Sequence, residues 1–141
     1  MSLELVRAVK NGNLALVEQL IRNGHDVNFQ PKSNDAPYTY HSPLHTAVEV
    51  QNLPIVCFLI QQGADVNLGT LDCPLYNPLC QLIDQFTCNN PKPINNLALP
   101  GYLMAAGSTL NGMGYSSTTL EFLINRRKKT EDYDKVIELF L

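Results

Sequence analysis

Ala8–Asn28 reads AVKNGNLALVEQLIRNGHDVN, and Ala47–Asn67 reads AVEVQNLPIVCFLIQQGADVN. Set one above the other without a gap, 39 residues apart, the two stretches agree at 11 of 21 positions. Self-similarity at a fixed offset is the mark of a chain built from repeated units. Leu14, Val17, Leu20 and Ile21 recur at helical spacing, as do Leu53, Val56, Leu59 and Ile60. Each stretch therefore predicts a helix of about nine residues with an apolar stripe along one face. Gly24 and Gly63 follow these helices, where a chain leaving a helix turns left-handed and a Cβ would be strained.

Working outward, Leu5, Val6, Ala8 and Val9 predict a shorter helix that Asn11-Gly12-Asn13 breaks. Its equivalent in the second unit is Pro43 to Val50, with Ser42 as N-cap and Pro43 at the first helical position. Pro54 fits the first turn of the next helix for the same reason. Each unit is thus helix, tight turn, helix and extended loop. Two such short helices cannot bury both of their apolar faces alone, so the units must stack. A third, weaker unit opens with Asn77-Pro78-Leu79-Cys80 and closes with Ala105-Ala106-Gly107-Ser108-Thr109-Leu110-Asn111. Between its helices an insertion around Cys88-Asn89-Asn90-Pro91-Lys92-Pro93 predicts a loop. Pro100-Gly101 predicts a kink or a helix start, since proline in a helix interior costs about 3 kcal/mol. A fourth unit runs through Thr118, Leu120, Leu123 and Ile124, then Tyr133, Val136, Ile137, Leu139 and Phe140, without the proline, histidine or closing glycine.

Gly63-Ala64-Asp65-Val66-Asn67 and Ser42-Pro43-Leu44-His45 resemble the closing and opening motifs of the ankyrin-repeat family, which opens its first helix with Thr-Pro-Leu-His. Gly24-His25-Asp26-Val27-Asn28 nearly repeats the close. The resemblance is strong over 5–67 and weak over 77–141. It implies an all-α ankyrin-repeat solenoid of stacked helix-turn-helix units with projecting hairpin loops. The whole of 1–141 is then one domain, with repeats near 2–35, 36–71, 72–112 and 113–141. For His45 it implies a structural role, the ring hydrogen-bonding loop backbone between neighbouring units. Asn28 and Asn67 each follow a leucine eight residues back and an Asp-Val, a context similar to that which asparaginyl hydroxylases modify in ankyrin domains. The alternative for both is a hydrogen bond to hairpin backbone. The apolar end at Phe140-Leu141 predicts that the last helix folds back onto the third unit, or that the array continues.

Composition narrows the function. Of 141 residues, 45% are hydrophobic and 16% charged, a globular balance. The net charge of −3 argues against a nucleic-acid grip, which needs a basic face. The one basic run, Arg126-Arg127-Lys128-Lys129, is followed by Glu131, Asp132 and Asp134 and reads as a solvated helix end. The longest apolar run, Ile55 to Ile60, is far too short to span a membrane, and Met1 to Asn13 is no secretory signal. Cys57, Cys73, Cys80 and Cys88 form no C-x-x-C pair, which favours reduced thiols and a cytoplasmic address. Gly101, Gly107, Gly112 and Gly114 make no phosphate loop, and the cysteine spacings match no common zinc site. No catalysis, cofactor, metal or small-molecule substrate is expected, and the chain is expected to be a monomer.

The family resemblance implies binding of another protein in a concave groove lined by hairpin tips and first-helix faces. Mapped position by position, the recognition residues are Tyr38, Thr39, His41, Glu49 and Val50 in the second unit, and Cys73, Pro74, Tyr76, Asp84 and Gln85 in the third. The fourth offers Tyr115, Ser117, Asn125 and Arg126, and the first Lys10 and Asn11. Tyr38 and Tyr40 sit just before the Ser-Pro-Leu-His opening, in a loop six residues longer than the family period of about 33 allows, and either pack that loop or anchor a partner. Leu44, Ala47, Val56, Leu59, Leu79 and Leu103 are expected to be buried framework. Three roles are open: an adaptor or inhibitor, a targeting or regulatory segment of a larger effector or enzyme, and a thiol-dependent enzyme.

Overall fold

The computed structural model describes residues 3–32, 41–71, 76–87 and 98–108. Among these residues there are six helices and no strand: α1 (Leu3–Lys10), α2 (Leu14–Arg22), α3 (Pro43–Glu49), α4 (Leu53–Gln61), α5 (Pro78–Thr87) and α6 (Ala98–Ala105). They pair as α1/α2, α3/α4 and α5/α6 in chain order; tight turns join the first two pairs, and the insertion expected around Cys88 to Pro93 lies outside the described residues. Between units α1 packs on α3, α3 on α5 and α2 on α4. The result is a two-layer stack with α1, α3 and α5 in one layer. The expected fourth unit, 113–141, lies outside the described residues.

Four of the helices, α2 to α5, start where a short polar side chain caps them. Asn13 Oδ1 accepts from Leu16 N at 3.1 Å, Asn52 Oδ1 from Ile55 N at 3.2 Å, and Asn77 Oδ1 from Cys80 N at 2.9 Å. Ser42 Oγ does the same for His45 N at 3.2 Å, with Pro43 next to it in the first turn. Such a cap satisfies one of the amides that a helix start leaves without an intrahelical partner.

The ends follow one pattern. Behind α2, Gly24 N donates to Ile21 O and His25 N to Leu20 O, both at 3.1 Å. Gly63 and Ala64 repeat this behind α4, and Gly107 and Ser108 behind α6. The pattern requires a left-handed residue after the helix, and the three glycines have φ of 93°, 92° and 103°. The shorter helices end alike: Gly12 (φ 72°) does it for α1, but at α3 the left-handed residue is Gln51 (φ 56°).

Pro100 does not begin α6. The helix starts two residues earlier, at Ala98, so Pro100 falls in the first turn, where its missing N–H deprives no carbonyl of a helical bond.

The core is a single cluster running through all three units, including Leu5, Val17, Ile55, Leu82 and Leu99. Leu44, Ala47, Val56, Leu59, Leu79 and Leu103, expected as framework, are all buried in it. One buried polar side chain breaks the pattern. Gln81 of α5 is 2% exposed, and neither its Nε2 nor its Oε1 finds a partner.

Candidate partner-binding face

The units are joined along their loops by side chains that reach the backbone of the next unit. Asn28 Oδ1 accepts from Asp65 N at 2.8 Å, while its Nδ2 donates to Gly63 O at 3.4 Å. Asn67 Nδ2 donates to Gly107 O at 3.0 Å, one unit further on. Asp26 and Asp65 hold each turn by accepting from Asn28 N and Asn67 N, both at 2.9 Å. Gln30 Nε2 to Gly69 O and Ser108 Oγ to Val66 O add further rungs. Hydrogen-bonding of Asn28 and Asn67 to the neighbouring loop is therefore present in both. Gln30 is a rung that pattern reading missed, because it lies beyond the repeated closing motif.

His45 does what the resemblance implied. Its Nε2 lies 2.8 Å from Tyr76 O, in the loop entering the third unit. A carbonyl can only accept, so Nε2 carries the proton and Nδ1 accepts from Ser42 Oγ at 2.7 Å. Burial pushes the imidazole pKa down from 6.5 to about 4, opposed by the Tyr76 carbonyl and aided by His41. The ring is neutral at neutral pH.

A serine 2.7 Å from an imidazole nitrogen is also the contact an acyl-transfer site uses. Two facts remove that use here. Ser42 is 1% and His45 0% exposed, so no substrate reaches them. With its pKa near 4, His45 is also a poor base. Among the described residues no group of three or more His, Cys, Asp or Glu could hold a metal ion. Neither Cys57 nor Cys80 is in a disulfide. On the other layer the Tyr102 hydroxyl of α6 meets the Cys57 thiol of α4, a contact that holds the phenol above its usual pKa.

The surface residues expected to recognise a partner divide into three groups. The first comes together at the C-terminal ends of the α1, α3 and α5 layer. Lys10 and Glu49 form an ion pair at 3.9 Å from unit to unit. Val50, next to Glu49, is 40% exposed, large for an aliphatic side chain, and Asn11 beside Lys10 is exposed too. Asp84 and Gln85 occupy the same register on α5, 35 residues after Glu49 and Val50.

The second group is at the other end of that layer and is less available than expected. The His41 ring stacks on His45, centroids 5.7 Å apart and planes 25° from parallel. Tyr76 packs its ring against the core while its carbonyl holds His45. The third group, Tyr38, Thr39, Tyr40, Cys73, Pro74, Tyr115, Ser117, Asn125 and Arg126, lies outside the described residues.

The comparisons with known proteins fall on the same stretch. A family model described as ankyrin repeats, three copies, matches residues 5–90. The chain is similar to the human 2-5A-dependent ribonuclease, 39% identical over 61 residues, which is 43% of this chain and 8% of that protein. It is also similar to the potassium channel AKT1 of Arabidopsis thaliana, 42% identical over 60 residues, 43% of this chain and 6% of that one. The chain thus spans less than a tenth of either curated relative.

Proposed function

The chain belongs to the ankyrin-repeat family, whose repeats are generally protein-interaction modules, and from that premise we propose that it works as an adaptor or inhibitor by holding a partner protein on the α1, α3, α5 layer. The observation that carries this reading is the register of that layer. Lys10, Glu49 and Asp84 stand at one level of three successive helices, and Asn11, Val50 and Gln85 at the next. The framework beneath the layer is closed by apolar packing, and Asn11 and Val50 stand exposed on it. The exposed Val50 supplies an apolar centre, and the Lys10–Glu49 pair a charged rim.

Recognition of this kind uses no chemistry, and the sealed Ser42–His45 contact agrees with a protein that catalyses nothing. Cys57 and Cys80 outside any disulfide fit a reducing compartment such as the cytoplasm. No described helix is long and apolar enough to cross a membrane.

Affinity capture from native lysate tests the reading, comparing the intact chain with a Glu49→Lys, Val50→Asp variant and a Tyr38→Ala, Tyr40→Ala variant of unchanged circular dichroism. A partner held by the intact chain and lost with the first variant supports recognition by the helix layer. Loss with the second alone moves the site to the segment before α3. Capture that neither variant disturbs overturns the reading. Tyr76 is left intact because its packing against the core would confuse stability with binding.

A further inference from the structure

The two joints of the stack are built differently. Between the first and second units both layers pack, α1 on α3 and α2 on α4. That joint is bonded at both edges: Asn28 and Gln30 reach the next loop, and Lys10 pairs with Glu49 at the opposite end of the helices. Between the second and third units α3 packs on α5, but α4 meets α6 more lightly, the Tyr102 hydroxyl touching the Cys57 thiol. The bonds of this second joint lie along the loop edge, from Asn67 to Gly107 O, Ser108 to Val66 O and His45 to Tyr76 O. At the opposite end the charged residues of α3 and α5 are Glu49 and Asp84, two acids that cannot pair with each other.

Gln81 stands inside the second joint. Arg7, Thr46 and Gln81 hold equivalent positions on α1, α3 and α5. Arg7, in the first described unit, is exposed, while Thr46 and Gln81 are each 2% exposed. The position is open where no described unit precedes it and covered where one does, which puts the Gln81 amide in the seam against α3. Neither of its polar atoms is bonded there. Opening the seam returns water to both atoms and so offsets part of the free energy of breaking the α3/α5 packing. We propose that this joint is a hinge. Its axis runs along the bonded loop edge, and the third unit swings from the second at the C-terminal ends of α3 and α5 while the first two units stay stacked. Hinged shape changes of this kind need only a few positions that give way between packed bodies. The swing carries Asp84 and Gln85 away from Glu49 and Val50, so the layer adapts its curvature to what it holds. The hinge goes beyond the recognition reading and stands whichever face binds a partner.

Pulsed electron paramagnetic resonance on the full chain tests it, with spin labels carried on unnatural amino acids so that the native cysteines stay in place. Two label pairs span the same two joints. One joins Asn11 to Gln85 at the C-terminal ends of α1 and α5, and the other joins Asn23 to Ala105 beside the loop edge. Asn11, Asn23 and Ala105 are exposed and take a label without disturbing the core. The first pair is expected to show two distances and the second pair one. Gln81→Met keeps the bulk of the side chain and removes the polar atoms, and is expected to lose the longer distance of the first pair. Gln81→Leu serves the same purpose where circular dichroism shows that methionine does not pack. A single narrow distance for the first pair in the native chain overturns the proposal. Two distances for both pairs mean that the third unit detaches bodily, and they overturn it as well. So does a longer distance that persists in the folded Gln81 variants, because the seam amide is then not what eases the opening.

Discussion

At α3 the left-handed turn is made by Gln51, where the first unit uses Gly12. A side chain in that region costs about 1–2 kcal/mol, and glycine returns part of this as entropy of the unfolded chain. Gln51→Gly is therefore expected to stabilise by about 0.5–1 kcal/mol, read as a higher urea midpoint at unchanged slope. Gln81 offers a larger gain: an amide buried with neither atom bonded carries its desolvation penalty of about 1–3 kcal/mol uncompensated. Gln81→Met keeps the shape and removes the polar atoms, and is expected to raise stability by about 1–2 kcal/mol in the same assay. His45 sets a pH dependence. The folded ring titrates near 4 and the unfolded one near 6.5, so between those values the unfolded chain binds more protons. The stability that the neutral ring contributes is complete above pH 6.5 and falls away as pH drops toward 4. The loss is about 3 kcal/mol. Urea midpoints from pH 7 to pH 4 are expected to fall more steeply for the native chain than for His45→Gln.

At the scale of the element, helices this short are not stable alone in water, and it is their ends and neighbours that hold them. The asparagines are the clearest case. Asn28 makes two bonds into the second unit, while Asn67 bonds Gly107 and also accepts from Asn77 Nδ2 at 3.1 Å. Replacing either by alanine is expected to cost about 1–2 kcal/mol, for bonds lost and backbone groups left open. Hydrogen exchange checks the location of the loss. In Asn28→Ala the amide of Asp65 exchanges faster, because Asn28 Oδ1 is its acceptor.

For the molecule as a whole, the main contacts between units are those of neighbours in the stack, yet all three share one core cluster. Leu59→Ala removes a fully buried side chain at its middle and is expected to cost about 2–5 kcal/mol. Because the second unit lies between the other two, the loss is expected to lower protection in α1 and α5 as well as in α4. Hydrogen exchange of the three units separately would show it, and a loss confined to α4 would mean the units unfold independently.

The amino-acid pattern by itself determined the architecture. The 39-residue offset, the apolar stripes and the glycines at φ of 93° and 92° are local features, and local features suffice when each unit packs mainly on the next. The motif likewise placed His45 between two units and Ser42 at a helix start. Tertiary structure decided what no single stretch encodes. It paired Lys10 with Glu49 across units, packed Tyr76 against the core, left Gln81 unbonded and opened a cavity lined by Glu4 and Arg7. The strained Gln51 was open to detection from its alignment with Gly12. The rest was not, because exposure and pairing depend on which residues the neighbouring unit brings alongside, and that is a property of the stack rather than of the repeat.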